Sequence, residues 1–322
     1  MSINSDATYA IVGAPRYEGS AGYQDDYGSI YIYSRSGSTW TQQYLAGGTE
    51  IQEYLGYSVS ISGDGSYAIA GAYGEDYVNG VGGIWNSGRI NIWVRSGSSW
   101  SSQAYIRAGD IGADNYFGAS VAINNDGTYA IVGARTQTGF DYGAAYIFTR
   151  SGSTWTQQAK IVSSDIQSLD NFGHSVSISS DGSYVIVGAP GEDTGGSNAG
   201  AAYIFTRSGS TWTQQQKIQS SDVQSGDGFG GSVSISSDTN HAIVGAAGED
   251  TGFTAAGSSY IFSRSGSTWT EQRILRSPTA LEKDFFGISV SMSSNGSYVL
   301  VGANEDDGGR VSNGTSYIYE AG

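Results

Sequence analysis

The sequence predicts an all-β chain, a β-propeller of six four-stranded antiparallel blades with the outer strand missing from the last. Three observations predict it. A strand ending Val-Gly-Ala, or a close variant, places its glycine at Gly13, Gly71, Gly133, Gly188, Gly245 and Gly302, a period of about 57 residues of the kind that marks repeat architectures. Arg-Ser-Gly-Ser-(Thr/Ser)-Trp recurs with Trp40, Trp100, Trp155, Trp212 and Trp269. A large apolar residue followed by glycine recurs at Leu55-Gly56, Phe117-Gly118, Phe172-Gly173, Phe229-Gly230 and Phe286-Gly287, and an alternating Ser-Val-Ser-Ile-like strand follows.

The fourth copy shows each element in order. Ser175-Val176-Ser177-Ile178 alternates polar and apolar, the period of a half-buried strand. Ser180-Asp181-Gly182-Ser183 is a tight turn, because Asp-Gly tolerates positive φ. Tyr184 to Val187 is nearly all apolar, so the second strand is expected to be buried on both faces. A glycine-rich loop leads to the third strand, Ala201 to Phe205. The turn Ser208-Gly209-Ser210 opens the fourth, Trp212 to Ile218, and a long acidic loop begins the next copy. No segment reads as a helix. A lone four-stranded sheet cannot bury both faces, whereas blades stacked side by side can, so the recurring Trp, Phe and Tyr are expected as packing between blades. The repeats run approximately 1–50, 51–113, 114–168, 169–225, 226–282 and 283–322, within one propeller domain spanning 1–322.

Phe172-Gly173-His174-Ser175-Val176, followed by Val187-Gly188-Ala189-Pro190, resembles the FG-GAP repeats of the integrin α-subunit propeller. The hairpin Phe205-Thr206-Arg207-Ser208-Gly209-Ser210-Thr211-Trp212 brings it nearer to a bacterial and viral branch of that family. The resemblance covers essentially the whole chain and implies the propeller fold. It departs in two respects. Relatives usually form seven blades, and this chain has six, with a short first strand in copy one (Met1 to Asn4) and no tryptophan strand after Tyr319-Glu320. Integrin-type calcium loops carry several acids between strands one and two. Here those turns hold at most one, namely Asp6, Asp64, Asp126, Asp181 or Asp238, with Asn295 in copy six. One carboxylate cannot supply the roughly six to eight oxygens that calcium prefers.

Composition narrows the function classes. Thirty acids against 15 basic residues give a formal net charge of -15, which repels nucleic acid and anionic membranes. The absence of cysteine excludes disulfides, thiolate zinc sites and a cysteine nucleophile. Met1 to Asp6 lacks a basic start and apolar run, so no signal peptide is expected, and no apolar stretch approaches the roughly 20 residues of a membrane helix. An extracellular or virion-surface location reached without the general secretion route is the expectation.

The strand order places the two-to-three and four-to-one loops on one side of the blades, and most of the acids fall in those loops. Two readings stand side by side. Turn chemistry and solubility explain acids in loops. Alternatively, carboxylates from two loops coordinate Ca2+, with Glu192 and Asp193 facing Asp222 and Asp227 of the next blade, and Glu75, Asp76, Glu249 and Asp250 at equivalent places. Loops that differ between copies are candidates for ligand specificity: Tyr17, Tyr23, Asp25, Asp26 and Tyr27 in copy one, and an insert from Tyr77 to Trp85 in copy two. Aromatics beside acids suit sugars, the ring covering C–H surface while the carboxylate accepts hydroxyl hydrogen bonds.

Catalytic signals are poor. His174 and His241 occupy positions that other copies fill with Tyr, Gly, Ala or Ile. No glycine loop leads into a lysine and a helix, as phosphate binding requires. The leading expectation is non-enzymatic recognition of a glycan or surface protein through the acidic loop side. A structural or receptor-binding part of a phage or virion, in contact with other virion proteins, is the alternative. A two-carboxylate glycan hydrolase ranks third.

Overall fold

The structure, a computed structural model, describes residues 1–17, 26–78, 83–110, 112–136, 142–305 and 314–321. Among these there are strands and turns and no helix. The chain divides into two compact units, Met1–Ile161 and Val162–Gly322, each with three propeller blades. All six sheets follow the order first-second-third-fourth strand, antiparallel throughout, and the sixth has three strands. The all-β propeller-blade architecture read from the sequence is therefore observed. Blade four consists of Ser175–Ile178, Tyr184–Ala189, Ala201–Ser208 and Thr211–Ile218. Blade two adds a small hairpin, Tyr77–Val78 against Gly83–Ile84, within its insert.

The turns form as their residues dictate. In blade four the Asp181 carboxylate accepts the Ser183 backbone N–H (2.9 Å) and the Ser179 hydroxyl (2.7 Å), and Gly182 takes a φ of 65°. The hairpin arginines seal these turns. Arg95 and Arg150 donate Nε to the carbonyls of Gly65 and Gly127, each at 2.7 Å, and their guanidinium groups cover Tyr9 and Tyr67 of the preceding blade. A bulge in the fourth strand recurs in blades one to five. Two residues of the fourth strand oppose one of the third there, and Gln103 and Gln215 at that place accept the indole N–H of Trp155 and Trp269 from the next blade.

The Phe-Gly dipeptide joins consecutive blades. Its phenylalanine is fully buried and meets two aromatics of its own third strand edge-on, Phe229 lying 5.4 Å from Tyr260 and 6.0 Å from Phe262. Its glycine carbonyl presses into the preceding blade. A Cβ built on Gly188 would lie 1.9 Å from the Gly230 carbonyl oxygen, and one on Gly245 would lie 2.0 Å from that of Gly287. Side chains cannot exist there, which accounts for the glycine at Gly13, Gly71, Gly188 and Gly245. The hydroxyls of Ser58, Ser175 and Ser232 donate to the same carbonyls, Gly118, Gly230 and Gly287, at 2.7–2.8 Å.

Second strands are buried as expected in blades two to five, but blade six departs. Tyr298 and Leu300 are 52% and 44% exposed, whereas Ile243, which corresponds to Leu300 in blade five, is 0% exposed. Ile243 is covered because it packs with Phe286 and Val301 of blade six, and among the described residues no following blade does the same for Leu300.

Gly188→Ala forces a Cβ into a backbone carbonyl, so it is expected to cost about 3 kcal/mol or more, read as a fall in midpoint in urea unfolding. Gly209→Ala is the control: nothing lies within 4 Å of its Cβ position. There only the φ of 63° resists substitution, at a cost of about 1 kcal/mol.

Candidate recognition site

Acids on the loop side are largely turned inward. Each Gly-Glu-Asp segment follows a second strand, and Glu75, Glu192 and Glu249 are at most 1% exposed. A buried carboxylate needs a counter-charge and hydrogen bonds, and the end of each fourth strand supplies them. Glu75 pairs with Arg107. Glu192 accepts Lys217 Nζ (2.7 Å) and Gln219 Nε2 (3.1 Å). Glu249 accepts the Ser258 hydroxyl (2.8 Å) and lies 3.7 Å from Arg276. The aspartate that follows closes its own loop, Asp76, Asp193 and Asp250 accepting the backbone N–H of Asn86, Asn198 and Ala255 at 2.7–2.8 Å.

A second buried position lies two residues before each apolar-Gly dipeptide: Glu53, Asn115, Asp170, Asp227 and Asp284, all at most 2% exposed. The residues on either side of it have positive φ, for example Leu169 (72°) and Asn171 (56°). Asp170 Oδ2 accepts Gln167 N–H at 2.7 Å, while its Oδ1 is buried with no hydrogen-bond partner among the described residues. Burial, reinforced by the nearby Glu192, Asp165 and Asp193 charges, pushes Asp170 up to about 6. Asp227 is pushed up to about 6 by burial together with Glu249, Asp222 and Asp250.

Glu192 and Asp193 gather with Asp165 and Asp170, which lead into the same blade, and the loop after Asp193 is bonded to the loop entering the next blade through the Ser197 carbonyl and Gly226 N–H at 2.9 Å. Asp222 and Asp227 gather with Glu249 and Asp250. The reason is that the loop entering a blade returns over that blade's own second strand, as in the bond from Gly191 N–H to the Asp170 carbonyl. Basic side chains stand between the acids: Lys217 joins Asp165 and Glu192, each at 2.7 Å, and Arg276 lies between Asp222 and Glu249. Among the described residues no three His, Asp or Glu side chains converge as metal ligands. This donor set, already bonded to protein cations and amides, does not fit the oxygen cage of Ca2+.

The first unit carries a different feature on its loop side, a tyrosine cluster spanning blades two and three. Tyr54 and Tyr73 stack at 5.0 Å with planes 3° apart. Tyr57 meets Tyr73 edge-on at 4.5 Å, and Tyr116 lies 5.8 Å from Tyr73. The Arg135 guanidinium covers both Tyr73 and Tyr116, at 5.5 and 5.0 Å. Tyr57 is 47% exposed. The Tyr54 hydroxyl is raised from its ordinary value by burial and by its hydrogen bond to Asp26. Burial and the neighbouring phenols raise Tyr73. Both rings therefore stay protonated and able to donate.

Of the sequence-proposed ligand residues, Asp26 joins this cluster. Tyr17 is exposed beside it in blade one, its carbonyl accepting Gly28 N–H. Tyr27 is half-buried and gives its carbonyl to Leu55 N–H. Tyr77 is covered by Arg107. Trp85 is 62% exposed, and its carbonyl accepts Asp114 N–H in the loop that carries Tyr116. Tyr23 and Asp25 lie outside the described residues.

Sequence reasoning passed over Tyr54, Tyr57, Tyr73, Tyr116 and Arg135. The available signal was departure from the repeat: Tyr73 and Arg135 stand where other copies have Pro15, Pro190 and Ala247.

Compared with known protein families, the chain matches the model described as FG-GAP repeat at residues 100–148, 155–205, 212–262 and 269–319. Compared with curated proteins, it has no match.

Two outcomes follow from the buried charges. Lys217→Met strands Glu192, and a loss of about 2–4 kcal/mol is expected in urea unfolding at pH 7. For Asp170, whose folded value lies above the unfolded one, the native state holds an extra proton between pH 4 and 6. Stability from this group is full below about pH 4 and is lost as pH rises through about 6. Asp170→Asn is therefore expected to raise the melting temperature at pH 7 and to lose that advantage near pH 4. A lower melting temperature than wild type at pH 7 would contradict this.

Proposed function

Because the chain belongs to the FG-GAP repeat family, whose propellers are typically non-enzymatic binding modules, we propose that it recognises a surface glycan through the loop side of its first unit. The observation that carries this reading is the tyrosine cluster. Tyr73 is held between Tyr54, Tyr57 and Tyr116, so an exposed aromatic face is fixed in place before any ligand arrives, and binding orders few side chains. Aromatic faces cover the apolar C–H surface of a sugar ring, while Arg135 and Asp26 at the margins hydrogen-bond hydroxyl or carboxylate groups. In the second unit, Pro190 and Ala247 replace Tyr73, and Asn171, Gly228 and Phe285 replace Tyr54. Such differences between copies of one repeat suit a role in specificity and not in packing.

This reading agrees with an extracellular or particle-surface location.

A glycan array tests the main reading. A specific signal is expected, with loss of about tenfold or more in affinity for Tyr57→Ala, and with an unchanged melting temperature because Tyr57 is half exposed. Trp85→Ala is expected to weaken binding for ligands large enough to reach the blade-two insert. An array silent for the wild-type chain, or a signal indifferent to Tyr57, would overturn the reading, and binding to a surface protein through the same rings would then be the outcome to pursue.

A further inference from the structure

We infer that the sugar recognised by the tyrosine cluster is an acidic one, whose ring rests on Tyr57 and Tyr73 and whose carboxylate is bound by Arg135. This deepens the glycan reading and rests on it.

Electrostatics single the cluster out. The chain carries a formal net charge of -15, yet two arginines stand at these rings. Eight basic residues fall within Met1–Ile161, and six of them are engaged in building the fold. Arg89 pairs with Glu53, Arg107 with Glu75 and Lys160 with Asp110. Arg35, Arg95 and Arg150 each donate Nε to a turn carbonyl. The other two are Arg16 and Arg135, and neither side chain forms an ion pair among the described residues. The Arg135 guanidinium covers Tyr73 and Tyr116 at 5.5 and 5.0 Å. Stacked in this way, a guanidinium keeps N–H groups at its edge for an anion. Arg16 is exposed, and its charge reaches the same rings. Burial raises the Tyr54 and Tyr73 hydroxyls, and Arg16 partly opposes the rise at both.

Packing of the repeat does not require either arginine. In blades two, four and five the second strand leads into Gly-Glu-Asp, whose glutamate is buried beside a cation. Blade one reads Arg16-Tyr17-Glu18 at that place, and blade three reads Thr136-Gln137-Thr138. Neither segment supplies the glutamate. Arg16 stands where Gly191 and Gly248 stand in the second unit, and Arg135 where Pro190 and Ala247 stand. The two blades that flank Tyr73 of blade two have thus each exchanged an acid for a neutral side chain and gained a base.

The carboxylates nearby leave Arg135 to a ligand and orient it. Asp114, in the loop that carries Tyr116, accepts Asn86 Nδ2 at 2.8 Å. Asp26 is hydrogen-bonded to the Tyr54 hydroxyl, so it repels a second anion and suits sugar hydroxyls. A planar carboxylate can take two parallel N–H bonds from one guanidinium, which favours it over a neutral hydroxyl at Arg135.

The test is calorimetric titration of the full chain with matched sugars: trigalacturonic acid against its methyl ester, sialyllactose against lactose, and sulfated lactose. At least one carboxylated sugar is expected to bind about tenfold or more tightly than its uncharged partner. Arg135→Gln is expected to abolish that preference and to leave the weaker binding of the uncharged partner. Arg135→Lys, which keeps the charge without the planar fork, is expected to restore only part of it. Arg16→Gln alters an exposed side chain and answers the case in which Arg135→Gln fails to fold. It is expected to weaken the carboxylated sugar about threefold or more, with the uncharged one unaffected. Neutral sugars bound as tightly as acidic ones, through Tyr57 and indifferent to Arg135, would overturn the inference and leave the glycan reading standing. Binding of sulfated lactose without any carboxylated sugar would do the same. Silence toward every acidic, sulfated and neutral sugar would overturn both.

Discussion

The structure depends on a contact between two glycines. Within each unit, the carbonyl of the glycine that opens one blade sits where the glycine of the preceding second strand leaves room, closer than any side chain allows. The neighbouring phenylalanine is held by two aromatics of its own third strand, as Phe286 is by Tyr317 and Tyr319. One dipeptide thus ties a blade's interior to its neighbour's backbone. The tryptophan, arginine and glutamine contacts at the outer strands repeat the same link further from that contact. Stability then follows the logic of a linear array, each blade resting on its own folding and on the interface with its neighbour.

Charge is organised around that scaffold. The acids of the loop side suggest an anionic surface, yet Glu75, Glu192 and Glu249 are buried against Arg107, Lys217 and Arg276. Their work is to order the loops above each second strand, and the aspartates beside them finish those loops by accepting backbone N–H groups. Such pairs add less net stability than their geometry suggests, because desolvation offsets the attraction. What they do provide is register, since a loop shifted by one residue would leave a buried carboxylate without its partner. The rigid loops that result can present side chains in fixed positions. In the first unit those side chains are tyrosines.

The fold was legible in the sequence because every blade solves the same packing problem with the same residues. Val-Gly-Ala, Phe-Gly and the tryptophan hairpin recur in register, and the strands lie where those markers place them. The carboxylate partners were not legible. Asp165 is closer in sequence to Asp170 than to Glu192, but nothing in spacing says that Lys217, from the far end of the blade, lies between Asp165 and Glu192. The buried acid two residues before Phe-Gly was hidden for another reason: its neighbours adopt left-handed conformations that Leu169 and Asn171 do not advertise. Trp85 stood out because it breaks the repeat. Tyr73 and Arg135 break it too, but only as single substitutions at a strand end, and the cluster they form spans two blades.

Amide hydrogen exchange on the isolated chain, resolved by residue, tests most directly whether the glycine-to-glycine contact governs stability. In blade five Gly245 receives the carbonyl of Gly287, and among the described residues Gly302 of blade six meets no such carbonyl. The account predicts markedly weaker protection in Tyr298–Ala303 than in His241–Ala246, two second strands of equal length and nearly identical sequence. Equal protection in the two would contradict it, and would mean that each blade is stable by its own sheet alone.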